Sequence, residues 1–296
     1  MLPVIPYLNP NLDCYESIVA SYLRWIGYDY TMLFENCWGL FFAADIDDDL
    51  PRPLEKYYGI KAKWFDVGTP LDQILTEADL KSEPLIVSTD IYDCPWIKAY
   101  RKHYFKHTLL ALDIKENNLI CIDPYFSNRI QSFNYEDCCE ELKFGVFEEF
   151  SPRRDENPDF LLQELKKTVN SYNRADVFAN VSNVERFLLL DVKTEPEYLE
   201  FSFDLIMLNK LAKNRLNFSN VLRHIGNLSK SLCFQRFIDR FEELSATWSL
   251  TRNILTRFFL CDDIKDRKRV FELLASVSDK ERCLCGDLCE YLNESA

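Results

Sequence analysis

The first periodic run of apolar positions falls on Ile18, Val19, Tyr22, Leu23 and Ile26, a spacing of three and four that predicts an amphipathic helix ending at Gly27. Asp13, with Glu16 three residues on, has the form of a capping box, so the helix is expected to begin at Cys14. The aromatic-rich segment TMLFENCWGLFFAAD follows and is expected to pack against that helix. IDDDLPRPLEKYYGIKAKWFDV then reads as a turn, a short helix and a strand from Ala62 to Val67. TPLDQILTEADLKSE reads as a short helix with Thr69 as its cap, and the apolar run in PLIVSTDIYD as a buried strand. Two alternating runs, His107 to Asp113 and Leu119 to Asp123, flank KENN and predict a β-hairpin.

Beyond the charged, proline-containing stretch SPRRDENPDF the period becomes helical throughout. It runs through LLQELKKTVNSYNRADVFANV, EYLEFSFDLIMLNKLAKNRL, the long segment from FSNVLRHIGNL to NILTRFFL, and DRKRVFELLASV. No repeat of fixed period is present. Helices first, then strands mixed with short helices, make the fold class α+β, with an N-terminal domain over 1–150 and a helical domain over 151–296. A chain of 296 residues is long enough for two such domains, each with its own core.

Composition narrows the chemistry. Only 7 glycines are present and neither GxGxxG nor GxxxxGKS occurs, so a glycine-rich phosphate loop is not expected. The formal charge of −13 argues against nucleic acid as a partner. MLPVIPYLNPN lacks a basic start and a long apolar run, and nowhere do 18 apolar residues run together, so a soluble cytoplasmic protein with no membrane partner is expected. The odd number of cysteines, 11, excludes a complete internal disulfide set and suggests reduced thiols. Cys283, Cys285 and Cys289 form CxCxxxC without a nearby fourth ligand, so no metal site is expected.

Cys14 is the first candidate for chemistry. Backbone N–H groups in the first turn of a helix lack helical partners and the macrodipole is positive there, which favours a thiolate and a usable nucleophile. A buried thiol that happens to start a helix is the alternative. Three histidines are available. His103 lies in the charged segment RKHYFKH and reads as a solvated loop residue, and His224 as a helix-surface or interface residue. His107 opens a strand. With the hairpin turn centred near Lys115, paired positions sum to about 230, which sets His107 opposite Asp123 on one face. A carboxylate there can fix the imidazole tautomer and stabilise the imidazolium formed when it takes a thiol proton. A slip of one residue would turn Asp123 away.

The order and spacing of DCYESIVASYLRWIGYDYTMLFENCWGLFF, HTLLALDI and CIDPYF resemble the papain-like C39 peptidases and their relatives over roughly residues 1–150. The likeness is closer to the butirosin-type acyltransferases and to the cysteine-protease-like enzyme of closthioamide assembly. It implies a papain-like fold, with Cys14 as nucleophile, His107 as general base and acid, and Asp123 as the residue that orients it. Papain-like enzymes usually carry a glutamine six residues before the cysteine to complete the oxyanion hole; that position is Leu8 here. Asn9 and Asn11 are the candidates for the missing donor, beside the Cys14 backbone N–H, and either can instead shape the turn before the helix.

Charge within the helical half points to a partner. Between Met207 and Arg257 stand nine basic residues (Lys210, Lys213, Arg215, Arg223, Lys230, Arg236, Arg240, Arg252, Arg257) and three acidic ones (Asp239, Glu242, Glu243). That net of +6 leaves −19 for the rest of the chain. A basic surface of this kind suits an acidic acyl or peptidyl carrier protein, with Arg236 and Arg240 as candidate docking residues, although solvated helix faces would look the same. The expectation is therefore a cysteine-dependent acyltransferase of bacterial natural-product biosynthesis that joins an acyl group to a small amine. It would have no cofactor of its own, the phosphopantetheine being carried by the donor. A C39-like peptidase and an inactive protease-like binding module are the alternatives.

Overall fold

The computed structural model describes residues 1–39, 51–66, 68–78, 80, 82–139, 142–175, 203–229, 232–261 and 264–294. The chain divides into two compact units, Met1–Tyr30 with Leu50–Arg153, and Thr31–Asp49 with Arg154–Ala296.

The first unit is built on helix α1 (Cys14–Trp25) and a six-stranded sheet. The capping box forms as the sequence predicts. Glu16 N–H donates to Asp13 Oδ1 at 2.8 Å and Asp13 N–H to Glu16 Oε2 at 2.7 Å, which places Cys14 at the first helical position. Gly27 leaves the helix with φ +83°, a conformation that costs a side-chain-bearing residue 1–2 kcal/mol or so. The strands are β1 (Ile60–Trp64), β2 (Leu85–Asp90), β3 (Lys106–Lys115), β4 (Asn118–Ile122), β5 (Ile130–Asn134) and β6 (Lys143–Glu149). Every pairing is antiparallel, in the order β1-β6-β2-β3-β4-β5. α1 packs on β3, and Tyr22 stacks on Phe147 of β6 with ring centroids 4.2 Å apart. Central position and cover explain why Leu109, Leu110, Ala111 and Leu112 of β3 are all fully buried.

Two local expectations need correction and two strands are new. The strand expected from Ala62 to Val67 starts two residues earlier and closes at Trp64, and Val67 lies outside the described residues. Helix α2 (Leu71–Glu77) is preceded by Pro70 with no side-chain cap; the Thr69 hydroxyl donates to the Asp66 carbonyl instead. β5 and β6 have no counterpart in the sequence reading, yet β6 is the strand that joins β1 to β2.

The second unit is helical: α3 (Pro158–Ala175), α4 (Phe203–Ser229), α5 (Gln235–Cys261) and α6 (Ile264–Glu294). The pattern read as one long segment around SLCF is two helices, α4 and α5. The aromatic segment expected to pack on the first helix contributes to this unit instead. Trp38 is fully buried among Tyr172 of α3, Phe218 of α4 and Phe241 of α5. Its continuation past Gly39 lies outside the described residues. At the centre Glu281 of α6 accepts from Arg215 Nε at 2.7 Å, from Trp248 Nε1 at 3.0 Å and from Trp38 Nε1. These four residues are wholly buried, so the carboxylate and guanidinium must neutralise one another inside the unit. Among the described residues no helix is long and apolar enough to cross a membrane.

Candidate active site

The hairpin that carries the site is turned by Glu116 and Asn117, with Lys115 paired to Asn118 and Glu116 at φ +53°. Ile114↔Leu119 and Asp113↔Ile120 continue that register, in which paired positions sum to 233. An odd sum would put Asp123 on the face opposite His107. A bulge between Ala111 and Asp113 absorbs one residue, and from Ala111↔Cys121 and Leu110↔Ile122 onward the sum is 232. The carbonyl of the extra residue, Leu112, accepts from Leu2 N–H at 3.3 Å, which gives the bulge a partner outside the ladder. Continuing the register sets Asp123 opposite Leu109, not opposite His107 as the sum of 230 implied. The difference is two residues, so the face is kept and the two side chains meet on the diagonal.

They do meet. His107 Nε2 and Asp123 Oδ2 are 3.0 Å apart, with His107 2% and Asp123 0% exposed. An ionised carboxylate only accepts, so Nε2 carries a proton whatever the charge of the ring, and the other nitrogen, Nδ1, shares its proton with the remaining partner, the Cys14 side chain. Burial pulls the His107 pKa down, but the hydrogen bonds to Asp123 and to Cys14 and the charges of both outweigh it and raise it to about 10. The structure thus brings Cys14, His107 and Asp123 together from a helix start, the second residue of β3 and the residue after β4. It can move a proton between a thiol and an imidazole and hold the resulting cation.

Asp123 has two further donors that sequence reasoning missed. Trp96 Nε1–H donates to Oδ2 at 2.7 Å and the Phe126 N–H to Oδ1 at 3.3 Å. Trp96 arrives on the loop between β2 and β3, which Asp90 ties off by accepting from Tyr92 and Phe105 N–H groups at 2.8 and 2.9 Å. The contact spans 27 residues and no spacing announces it. Only the aromatic richness of IYDCPWIKAYRKHYF was visible. Trp96→Phe keeps an aromatic ring and loses the donor; it is expected to lower turnover roughly tenfold or more, as a hydrogen bond to a charged group is worth about 1.5–3 kcal/mol. Steady-state kinetics on a variant of unchanged circular dichroism checks this.

The remaining predicted residues fall as follows. Asn9 builds the turn into α1: its Oδ1 accepts from Asn11 N–H at 3.0 Å, its Nδ2 donates to Tyr30 Oη at 3.0 Å, and its carbonyl accepts from Leu12 N–H at 3.1 Å. The half-buried Asn11 is fixed through its main chain by the same turn, and Leu8 is 48% exposed. His224 on α4 donates from Nε2 to the Asp155 carbonyl at 3.2 Å, and the half-buried His103 follows a turn in the β2–β3 loop.

Arg240 pairs with Asp287, and Arg236 lies over the rings of Phe237 and Tyr291 at 4.5 and 5.2 Å. Arg215, counted among the basic residues of that stretch, is fully buried and adds nothing to a surface, while Lys230 lies outside the described residues.

All eleven cysteines are free. Burial first, then neighbouring negative charge, raises the pKa of Cys94 and Cys121 and keeps them as thiols. Cys283, Cys285 and Cys289 share α6, where Cys289 Sγ is 2.9 Å from Asn170 Oδ1. No metal-holding cluster of histidine, cysteine or carboxylates occurs among the described residues.

Neither a protein-family model nor a curated protein matches the chain.

Proposed function

We propose that this chain is a cysteine-dependent acyltransferase with a papain-like catalytic unit, and that it forms amides from thioesters. The observation that carries the reading is the single imidazole, His107, bonded to Asp123 on one side and to Cys14 on the other. A cysteine at a helix N-terminus packed on the strand that carries its histidine is also what the papain-like resemblance implies.

Cys14 Sγ, as thiolate, attacks the carbonyl carbon of the donor thioester. The Cys14 N–H, at a helix position with no helical partner, stabilises the oxyanion. As the bond between acyl carbon and donor sulfur breaks, the His107 imidazolium gives its Nδ1 proton to the departing thiolate. The amine then attacks the acyl-Cys14 carbonyl and passes a proton to His107, and the amide leaves with the thiolate restored. Asp123 holds the imidazole in the tautomer both halves require. Asn9 gives one Nδ2–H to Tyr30 and keeps a second, so it and Asn11 stand as the candidates for the second oxyanion donor.

The donor is proposed to be an acyl or peptidyl carrier protein, whose phosphopantetheine arm presents the thioester, and the setting to be bacterial natural-product assembly in the cytoplasm. Both follow from the resemblance and from the basic content of α4 and α5. A carrier would meet Arg236 held over its two rings and would compete with Asp287 for Arg240.

The test is product identity. Incubated with a small acyl thioester and an excess of a primary amine, the protein is expected to yield the amide by mass spectrometry. Free acid alone, together with cleavage of peptide substrates, would instead mark a peptidase.

A further inference from the structure

We propose that the acyl group taken up by Cys14 is apolar and uncharged, and that it lodges against an aromatic wall formed by Tyr125 and Phe126. This rests on Cys14 being the acylated nucleophile.

The wall is defined by its place and its rigidity. Phe126 stands edge-on to the His107 ring at 5.3 Å, Tyr125 lies 6.5 Å from it, and the two aromatic rings meet in a T at 4.8 Å. Their turn is fastened to the residue that orients His107. Phe126 N–H donates to the Asp123 carbonyl at 3.2 Å and to its Oδ1 at 3.3 Å, and Ser127 N–H to the same carbonyl at 2.8 Å. A turn held this firmly is a fixed surface, yet Tyr125 and Phe126 keep 43% and 41% of their area open to solvent. Exposed aromatics on a rigid turn beside the imidazole offer an apolar surface to an acyl group carried on Cys14.

Charge says what that ligand is. The Tyr125 phenol is held in its neutral form by burial first, then by the negative charges of Cys14, Asp13, Asp123 and Glu16. The phenol therefore lies near the thiol; its ring is also 6.5 Å from that of His107, but this imidazolium is already paired with Asp123, so Asp13 and Glu16 leave the surroundings of the phenol negative in sum. An acyl group ending in a carboxylate would be repelled there, whereas an alkyl chain or a ring would cover the aromatic faces and leave less apolar surface in water. In the acylation itself the acyl carbon exchanges its bond to the donor sulfur for one to Cys14 Sγ, and the donor leaves as a thiol with the proton from His107.

Four N-acetylcysteamine thioesters, acetyl, hexanoyl, benzoyl and succinyl, offered singly at equal subsaturating concentration test this by the initial rate of Cys14 adduct formation in intact-protein mass spectra. Hexanoyl and benzoyl are expected to react roughly tenfold faster than acetyl, in line with the worth of a few methylenes in an apolar site, and succinyl slowest. Phe126→Ala and Tyr125→Ala should each reduce the hexanoyl-to-acetyl ratio several-fold. Succinyl reacting as fast as hexanoyl, or a ratio unchanged in both variants, would overturn the proposal while leaving Cys14 as the nucleophile. No adduct from any of the four would remove the acyltransferase reading, and this proposal with it.

Discussion

Asp123→Asn is expected to leave the chain folded and to slow acyl transfer about 10⁴-fold, the loss seen when the orienting carboxylate of a comparable triad becomes an amide. Asp123 accepts from His107 Nε2, Trp96 Nε1 and the Phe126 N–H, all three within 3.3 Å. An asparagine has one acceptor oxygen where the carboxylate has two. If its amide N–H faced Nε2, the imidazole would have to carry its proton on Nδ1, the atom that must accept one from Cys14. Single-turnover acylation with a small thioester, on a variant whose circular dichroism matches the parent, measures the effect. A variant with parental kinetics would mean that Asp123 serves the fold alone.

The second large effect concerns His107. His107→Ala is expected to abolish measurable acylation, again by roughly 10⁴-fold or more, since nothing is left to take the Cys14 proton and hand it to the donor thiolate as it leaves. The same residue sets the alkaline limit. Its pKa is raised to about 10, so the imidazolium persists across neutral pH, and the acylation rate should fall as pH rises through about 10. Stability follows with the same sign. An imidazolium favoured by folding contributes fully below the unfolded value of 6.5, and that contribution fades as pH rises through about 10. Unfolding midpoints of the parent and of His107→Gln should therefore converge between those limits. A rate that falls instead near pH 6.5 would show an imidazole that feels neither Asp123 nor Cys14.

Much of this site was legible in the sequence because its parts are local. Asp13 and Glu16 announce the helix start at Cys14 within four residues, and the box forms as written. The hairpin was legible as a pair of alternating runs, but its register was not. Glu116 and Asn117 centre the turn one and a half positions later than expected, and the bulge at Leu112, supported by Leu2 more than a hundred residues earlier, brings Asp123 back to the face of His107. Alternation alone carries no mark of either event.

Trp96 was missed for a related reason: its partner is set by how a loop folds over the sheet. β5 escaped because IQSFN is short and buries Phe133 alone, although its partner β4 is next to it in sequence, and β6 because KFGVFEE pairs with β1 and β2, both distant in sequence. In the helical unit, periodicity found the helices but not their inner polar group. Arg215 was counted with the surface charges, and only three-dimensional packing reveals that Glu281 neutralises it beside Trp38 and Trp248.

The most direct measurement is to locate the acyl group itself. With hexanoyl-N-acetylcysteamine and no amine, peptide mapping of the treated protein is expected to place the added mass on Cys14, and Cys14→Ala is expected to gain none. An adduct that survives in Cys14→Ala, or that maps to an exposed thiol such as Cys139, would contradict the account at its centre.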